Sequence, residues 1–403
     1  MNNPVTTRGQ DTRGETVGIL TPQGWGVVAA YAAVAASTQL LWLTYAPITT
    51  ETAQHYGVSK TAVGWLAEIF PLLYVVLALP AGNLLDRWFR PALAGGAALT
   101  AAGGLVRLGG DTFAWALAGQ TLVAVAQPVV LSAVNKVAAH YLPAEERANG
   151  IAAGAGAGFV GMLLALVLGP TIGAHGHIER LLVVQAVLAA ASGAALVLAL
   201  RARGHGDAEH VAIERGAARA LWRLPAMRLL CGLVFGGFGI FVALATWLQS
   251  LLEPQGISEA TAGALLVGMV VAGTIGIAVI PQALERRHAE RRFLLAAVVM
   301  AAAGCAALAA LRWLPAQALV LVLMGLALLP ALPVVLTAVE RLAGAAAGTA
   351  AAIIWLAGNL GGIVVALLVQ GLVDEPTAAF LALSGVGLLG LPLASRLDLR
   401  APR

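Results

Sequence analysis

Twelve blocks of apolar residues, each about the length a helix needs to cross a hydrocarbon layer about 30 Å thick, run through the 403-residue chain. They fall at 24–47, 61–82, 91–108, 113–139, 148–172, 181–200, 226–252, 260–282, 293–311, 315–339, 345–372 and 376–395, and charge, proline or glycine clusters bound each one. Hydrocarbon offers an open backbone no hydrogen-bond partner, so each block must satisfy its own amides as a helix. Composition agrees. Charged residues make up 11% of the chain and apolar ones 60%, against about 25% and 45–50% in a soluble domain. A soluble enzyme of this length cannot hide that much apolar surface. The net charge of +4 is too small and too dispersed for a nucleic-acid binder. Cys231 and Cys305 sit inside apolar blocks and read as small buried side chains, without disulfide or zinc spacing. The expected fold class is an all-α membrane protein with twelve transmembrane helices.

Loop charge sets the expected orientation. With the N-terminal side inside and strict alternation, only Lys60, Arg107, Arg180 and Arg312 of the 24 basic residues fall outside. The positive-inside rule then places both termini in the cytoplasm. Residues 1–23 are polar, with no apolar region and cleavage site after them, and read as a cytoplasmic tail. Arginine outnumbers lysine heavily in an Ala- and Gly-rich chain, which points to a GC-rich bacterium and its inner membrane.

A polar segment, 201–225, divides the chain into two six-span bundles, 24–200 and 226–396, with 397–403 as a second cytoplasmic tail. The halves echo each other. Glu146-Arg147-x-x-Gly150-x-x-x-Gly154 opens the fifth span, and Glu340-Arg341-x-x-Gly344-x-x-x-Gly348 opens the eleventh. Asp86-Arg87 follows the second span, and Glu285-Arg286 follows the eighth. Two pseudo-symmetric six-helix bundles related by an axis along the membrane normal describe a secondary transporter.

The segment Gly82-x-Leu84-x-Asp86-Arg87-x-x-Arg90 resembles the loop signature of the major facilitator superfamily, with Phe89 and Pro91 in place of a glycine and a basic residue. That resemblance implies the major facilitator fold and alternating access. A narrower likeness spans residues 39–170. Trp42-Leu43-Thr44-Tyr45, Tyr56-Gly57-Val58-Ser59, Ala62-Val63-x-Trp65-Leu66, Pro80, Ala126-Gln127-Pro128 and Lys136-Val137-Ala138 follow in order. This pattern is similar to the feline leukaemia virus subgroup C receptor family of transporters. The likeness implies choline or ethanolamine transport, with haem export as the historical alternative, and implies that Trp42 and Gln127 line a choline pocket.

The candidate residues follow. An indole face attracts a quaternary ammonium through its quadrupole, and a glutamine hydrogen-bonds a hydroxyl without adding charge. Trp42, Gln127 and Gln39, the last one turn from Trp42, are the first candidates for substrate binding. An interfacial aromatic and an interhelical hydrogen bond remain open as alternatives. Trp355 and Asn359 share a face of the eleventh span, and Phe241 is a candidate for a second aromatic wall; core packing is the alternative for each. Glu68 is the one acid clearly inside a span, a candidate coupling group or counter-ion, or else a side chain reaching the interface. Asp86, Arg87 and Arg90 form a candidate gate in which Asp86 caps a neighbouring helix or pairs with an arginine. Glu285 and Arg286 are its weaker counterpart, and Arg147 and Glu340 are candidates for pairing between the halves.

All seven histidines lie in loops or at span edges, so a midplane haem lacks its usual ligand. No P-loop, H-E-x-x-H or G-x-S-x-G motif is present. No cofactor is implied. The expected partners are a small-molecule substrate and the bilayer, with protons as a candidate coupling ion, no nucleic acid, and a monomeric state. The reading is a transporter of a choline-like cation or zwitterion. The alternatives are proton-coupled efflux of hydrophobic compounds and a transporter-like receptor.

Overall fold

The computed structural model describes residues 22–173, 177–202, 216–285 and 289–397. The tails at 1–21 and 398–403, and Arg286, lie outside the described residues, as does the side chain of Glu285. In chain order the α-helices are α1 (Pro22–Trp42), α2 (Thr49–Tyr56), α3 (Lys60–Arg87), α4 (Phe89–Val106), α5 (Phe113–Ser132), α6 (Val134–Tyr141), α7 (Arg147–Leu168), α8 (Ile178–Ala199), α9 (Ala217–Arg223), α10 (Pro225–Leu252), α11 (Glu259–Glu285), α12 (Glu290–Ala310), α13 (Leu314–Ala343), α14 (Ala347–Gln370) and α15 (Pro376–Ser395). Twelve of these described helices have 18 or more residues. Ten stretches are long and apolar enough to cross a membrane; one, Leu314–Gln370, contains both α13 and α14, and α4 lies outside the ten.

Local chemistry explains where the helices stop. Gly57 closes α2 in the left-handed region at φ 65°, where a Cβ would be strained. The Ser59 side chain then accepts the Ala62 amide and starts α3. The block at 113–139, expected as one helix, is two. Pro128 lacks an amide hydrogen, and Ala133 N–H bonds Val130 O in a tightened turn that ends α5 and begins α6. The polar segment 201–225, expected as a loop, contains the short helix α9.

In the first half α1 packs on α7 and α8, α3 on α5, and α4 on α5 and α8; in the second, α10 packs on α14 and α15, α11 on α13, and α12 on α13 and α15. The two halves share one of their closest approaches. A Cβ on Gly161 would overlap the Ala36 carbonyl where α7 crosses α1, and one on Gly361 would overlap the Phe235 carbonyl where α14 crosses α10. Only glycine lets the backbones meet so closely. The halves join along α3–α14, α7–α11 and α7–α13. Leu389 and Val76, 72% and 68% exposed, belong to the outward apolar surface expected of helices solvated by lipid.

Candidate functional site

Between the halves lies a small chamber of about 20 Å³, room for about one water. Its wall comes from α1 (Tyr31, Gln39, Trp42), α7 (Phe159, Met162), α10 (Phe238) and α14 (Trp355), with smaller residues between. Tyr31, Gln39 and Trp42 are eight and three residues apart along α1, a spacing that sets them on one face. Most polar groups in the wall are held. Tyr31 donates to Val130 O at 2.9 Å. Trp42 donates its indole N–H to Ala67 O at 2.9 Å and lies against Phe70, centroids 6.2 Å apart. Gln39 Oε1 accepts from Gln127 Nε2 at 3.3 Å. The exception is Trp355, buried between Tyr74 and Phe238 at centroid distances of 6.5 and 6.1 Å, whose indole N–H has no partner.

The expected binding residues therefore separate. Trp42, Gln39 and Trp355 meet at the chamber. Gln127 stands behind Gln39 and reaches the chamber only through it. Asn359 bonds back to the Trp355 carbonyl at 2.9 Å and is absent from the wall. Phe241 turns away, edge-on to Phe159 at 5.8 Å, and lines a different cavity. Tyr31, Phe159 and Phe238 were missed by sequence reasoning. Tyr31 was within reach, since it continues the Gln39–Trp42 face by two more turns.

One end of the molecule, where α3 finishes and α14 begins, is the basic end: it collects most of the described arginines. There Asp86 caps α14. Its carboxylate accepts the Gly348 amide at 3.0 Å, the Thr349 amide at 2.9 Å and the Thr349 hydroxyl. A carboxylate at a helix N-terminus is favoured by unpaired amides and by the macrodipole. Its ionic partner is Lys136, at 3.0 Å, rather than an arginine. The Asp86 and Lys136 side chains are 1% and 10% exposed. Lys136 also donates to Ala345 O at 2.9 Å, and its neighbour Asn135 donates to Leu336 O at 2.9 Å. The start of α6 thus reaches into the second half. Arg147 Nη1 pairs with Glu340 at 3.1 Å, also across the halves.

Other expected gate residues act elsewhere. Arg90 binds the Tyr141 hydroxyl in the first half at 3.2 Å and Ala202 O at the start of the central segment at 3.0 Å. Arg87 is exposed at the end of α3. Arg341 pairs with Glu290, and Glu146 accepts the Trp25 indole N–H, each within its own half. Among the described contacts, the repeated Glu-Arg pairs thus supply one bridge between the halves, Arg147–Glu340. Every described hydrogen bond or ion pair that crosses the halves lies at the basic end.

Glu68 is exposed on α3 and takes no part in the chamber wall. Its spacing from Leu72, Val75, Leu79, Gly82 and Asp86 places it on the stripe of α3 that meets α14 at the basic end.

Arg107, expected among the outer loop charges, is 1% exposed. Close approach of α4 and α5 at Gly103 and Gly119 packs its stem. Its guanidinium donates to Thr44 Oγ1 at 2.9 Å, Gln120 Oε1 at 3.4 Å and Gln185 Oε1 at 3.3 Å. Gln120 in turn bonds the carbonyls of Leu66 and Trp42. The network thereby fixes the chain just beyond the chamber's tryptophan. An outer position in the linear order gave no hint that this arginine turns inward.

The second half holds a larger cavity of about 320 Å³, lined wholly by apolar residues of α10, α12, α13, α14 and α15 together with Phe159. Among the described residues, no group of three or more His, Cys, Asp or Glu is placed to hold a metal ion.

Comparison with known proteins gives a consistent picture. The sequence profile of the Major Facilitator Superfamily matches residues 27–366. Solute carrier family 49 member A3 of Danio rerio is 30% identical over 323 residues, 74% of this chain and 67% of that protein. The choline/ethanolamine transporter FLVCR2 of Homo sapiens is 30% identical over 126 residues, 30% of this chain and 24% of that protein. Among solved structures, the human organic anion transporter MFSD10 superposes with TM-score 0.74 at 18% identity, covering 93% of this chain and all of that one. FucP in the outward conformation superposes with TM-score 0.72 at 17% identity, covering 92% and 99%.

Proposed function

The chain belongs to the Major Facilitator Superfamily, and from that premise we propose that it carries a small choline-like cation or zwitterion across the membrane by alternating access. It is a multi-pass membrane transporter and not an enzyme. In this reading the bundles 24–200 and 226–396 rock about the central chamber, and the protein acts as a monomer in a bacterial inner membrane. The distribution of basic residues supports a cytoplasmic basic end and cytoplasmic termini. The cross-half bonds at that end then make this state closed to the cytoplasm. Substrate enters when the bundles part at the opposite end and the chamber widens.

The observation that carries the reading is the chamber wall. Trp42, Trp355, Tyr31 and Phe238 surround it, no charged side chain lines it, and aromatic faces attract a quaternary ammonium by about 0.5–2 kcal/mol per contact. The free Trp355 N–H and the Gln39 amide suit a substrate hydroxyl or other acceptor. The partial likeness to a choline/ethanolamine transporter supports the same substrate class. Purified protein in liposomes tests it. Counterflow of labelled choline is expected, and Trp42→Ala is expected to weaken its apparent affinity about 2- to 30-fold. Choline counterflow that is absent, or unchanged in Trp42→Ala, removes the assignment.

The position of Glu68 favours keeping proton-coupled efflux of hydrophobic compounds as a second reading. A carboxylate on the α3–α14 stripe changes its surroundings when the halves move. Under that reading a pH gradient drives transport in the wild type and fails in Glu68→Gln.

A further inference from the structure

We propose that the cavity in the second bundle receives the hydrocarbon tail of a single-chain amphiphile whose small cationic head occupies the central chamber. This rests on the choline-like reading of that chamber and extends it from a free solute to a tailed one.

Four observations support the placement. The first is size: about 320 Å³ lies within the range of small-molecule sites, whereas the chamber has room for about one water. The second is chemistry. No polar side chain lines the cavity, so water finds no anchor there, and a void of this size forfeits contacts all around its wall. Hydrocarbon is the occupant that restores those contacts without leaving a polar group unpaired.

The third is continuity. Phe159 and Phe238 belong to both walls. Phe238 stands between Trp355, at 6.1 Å, and Phe241, at 5.9 Å, and Phe241 meets Phe159 at 5.8 Å. This aromatic partition stands between the two spaces, and in the proposed bound state its rings turn aside to join them. The fourth is the contrast with the first bundle. Gly236 faces Val386 across α10–α15 with nothing closer than 3.7 Å to an added Cβ, and Gly237 is equally open. The α1 position matched to Gly236 through the Gly161/Gly361 crossings is Ser37, whose hydroxyl is bonded to Ser192 of α8 at 3.0 Å. The first bundle is tied shut where the second is hollow. Leu389, the cavity residue that is 72% exposed, marks the side open to the bilayer.

A chain-length series tests the proposal. Alkyltrimethylammonium ions from methyl to octyl compete against labelled choline in reconstituted protein, with free concentrations corrected for uptake into protein-free vesicles. Wild-type affinity is expected to rise about fourfold per added methylene. Gly236→Leu fills the cavity from α10, and Ala301→Leu does so from α12. Both are expected to bind tetramethylammonium as the wild type does while losing the dependence on chain length. The thermal unfolding midpoint of each variant checks folding, and either variant suffices. Competition by tetramethylammonium without a rise along the series overturns the tail site and leaves the choline reading standing. Chain-length dependence that persists in the folded variants overturns it too. No competition at any length overturns both.

Discussion

The two bundles share a scaffold and differ in what fills it. Of the 19 buried polar or charged residues among those described, fourteen lie before residue 200 and five after. The first bundle is pinned internally by Arg107 with Thr44, Gln120 and Gln185, by Gln39 with Gln127, and by Ser37 with Ser192. The second contains an apolar cavity, and the arginine that follows α12, Arg312, is exposed and, among the described contacts, bonds only the nearby carbonyls of Ala309 and Leu311. Backbone crossings set by glycine have stayed alike, while side-chain chemistry has diverged. The difference suggests a division of labour: the first bundle holds the polar wall of the chamber rigid, and the second adapts around apolar groups.

The sharpest way to break that comparison is to remove the two arginines. Arg107→Met leaves Gln120 Oε1 and Thr44 Oγ1 buried without their donor, at about 1–3 kcal/mol each, while Gln185 Oε1 keeps the Thr44 hydroxyl at 2.7 Å. Arg312→Met changes an exposed side chain and should stay within about 0.5 kcal/mol. Thermal unfolding of the purified protein measures both, and equal losses would end the idea of a uniquely pinned first bundle.

Next in size is the seam between the bundles. Asp86→Asn leaves Lys136 buried without its counter-charge, an expected cost of about 3–5 kcal/mol. Spin labels on either side of the basic end should then report longer distances, and Asp86→Asn combined with Lys136→Gln should recover part of the stability. Unchanged distances would mean that the cap on α14 does not hold this end closed.

A third test addresses what the bundles share. Gly161→Ala and Gly361→Ala should each destabilise by about 1–3 kcal/mol, because each new methyl meets a neighbouring carbonyl. Losses that differ by more than about 1 kcal/mol, well beyond the usual scatter of such values, would show that the repeat is only nominal. The smallest expected effect concerns Gln127. Gln127→Leu removes one bond to Gln39, worth about 1 kcal/mol. It should lower choline affinity about fivefold and leave folding nearly intact; a loss as great as that of Trp42→Ala would move Gln127 from support into the chamber itself.

Some of the site was legible in the linear order and some was not. Asp86 stood out because an acid at a helix end, echoed by Glu285 one half later, is a local pattern. Trp42 and Gln39 stood out because helical spacing puts them on one face. Phe238 and Phe159 were indistinguishable from core aromatics, and Phe241, the phenylalanine that did stand out, turns away from the chamber, since which of the three meets it depends on how α7 and α10 cross. Lys136 read as one more positive-inside charge until the break at Ala133 carried the start of α6 into the second half.

The apolar blocks, their number and their repeat were determined by the sequence alone, because hydrocarbon forces each such segment to satisfy its own backbone and so makes helix formation a local matter. The partners of Arg107, Asp86 and Arg147, and the hollow in the second bundle, were decided only when the helices packed. Ion pairing and void volume depend on distances between segments far apart in the chain, and no periodicity within one segment encodes them.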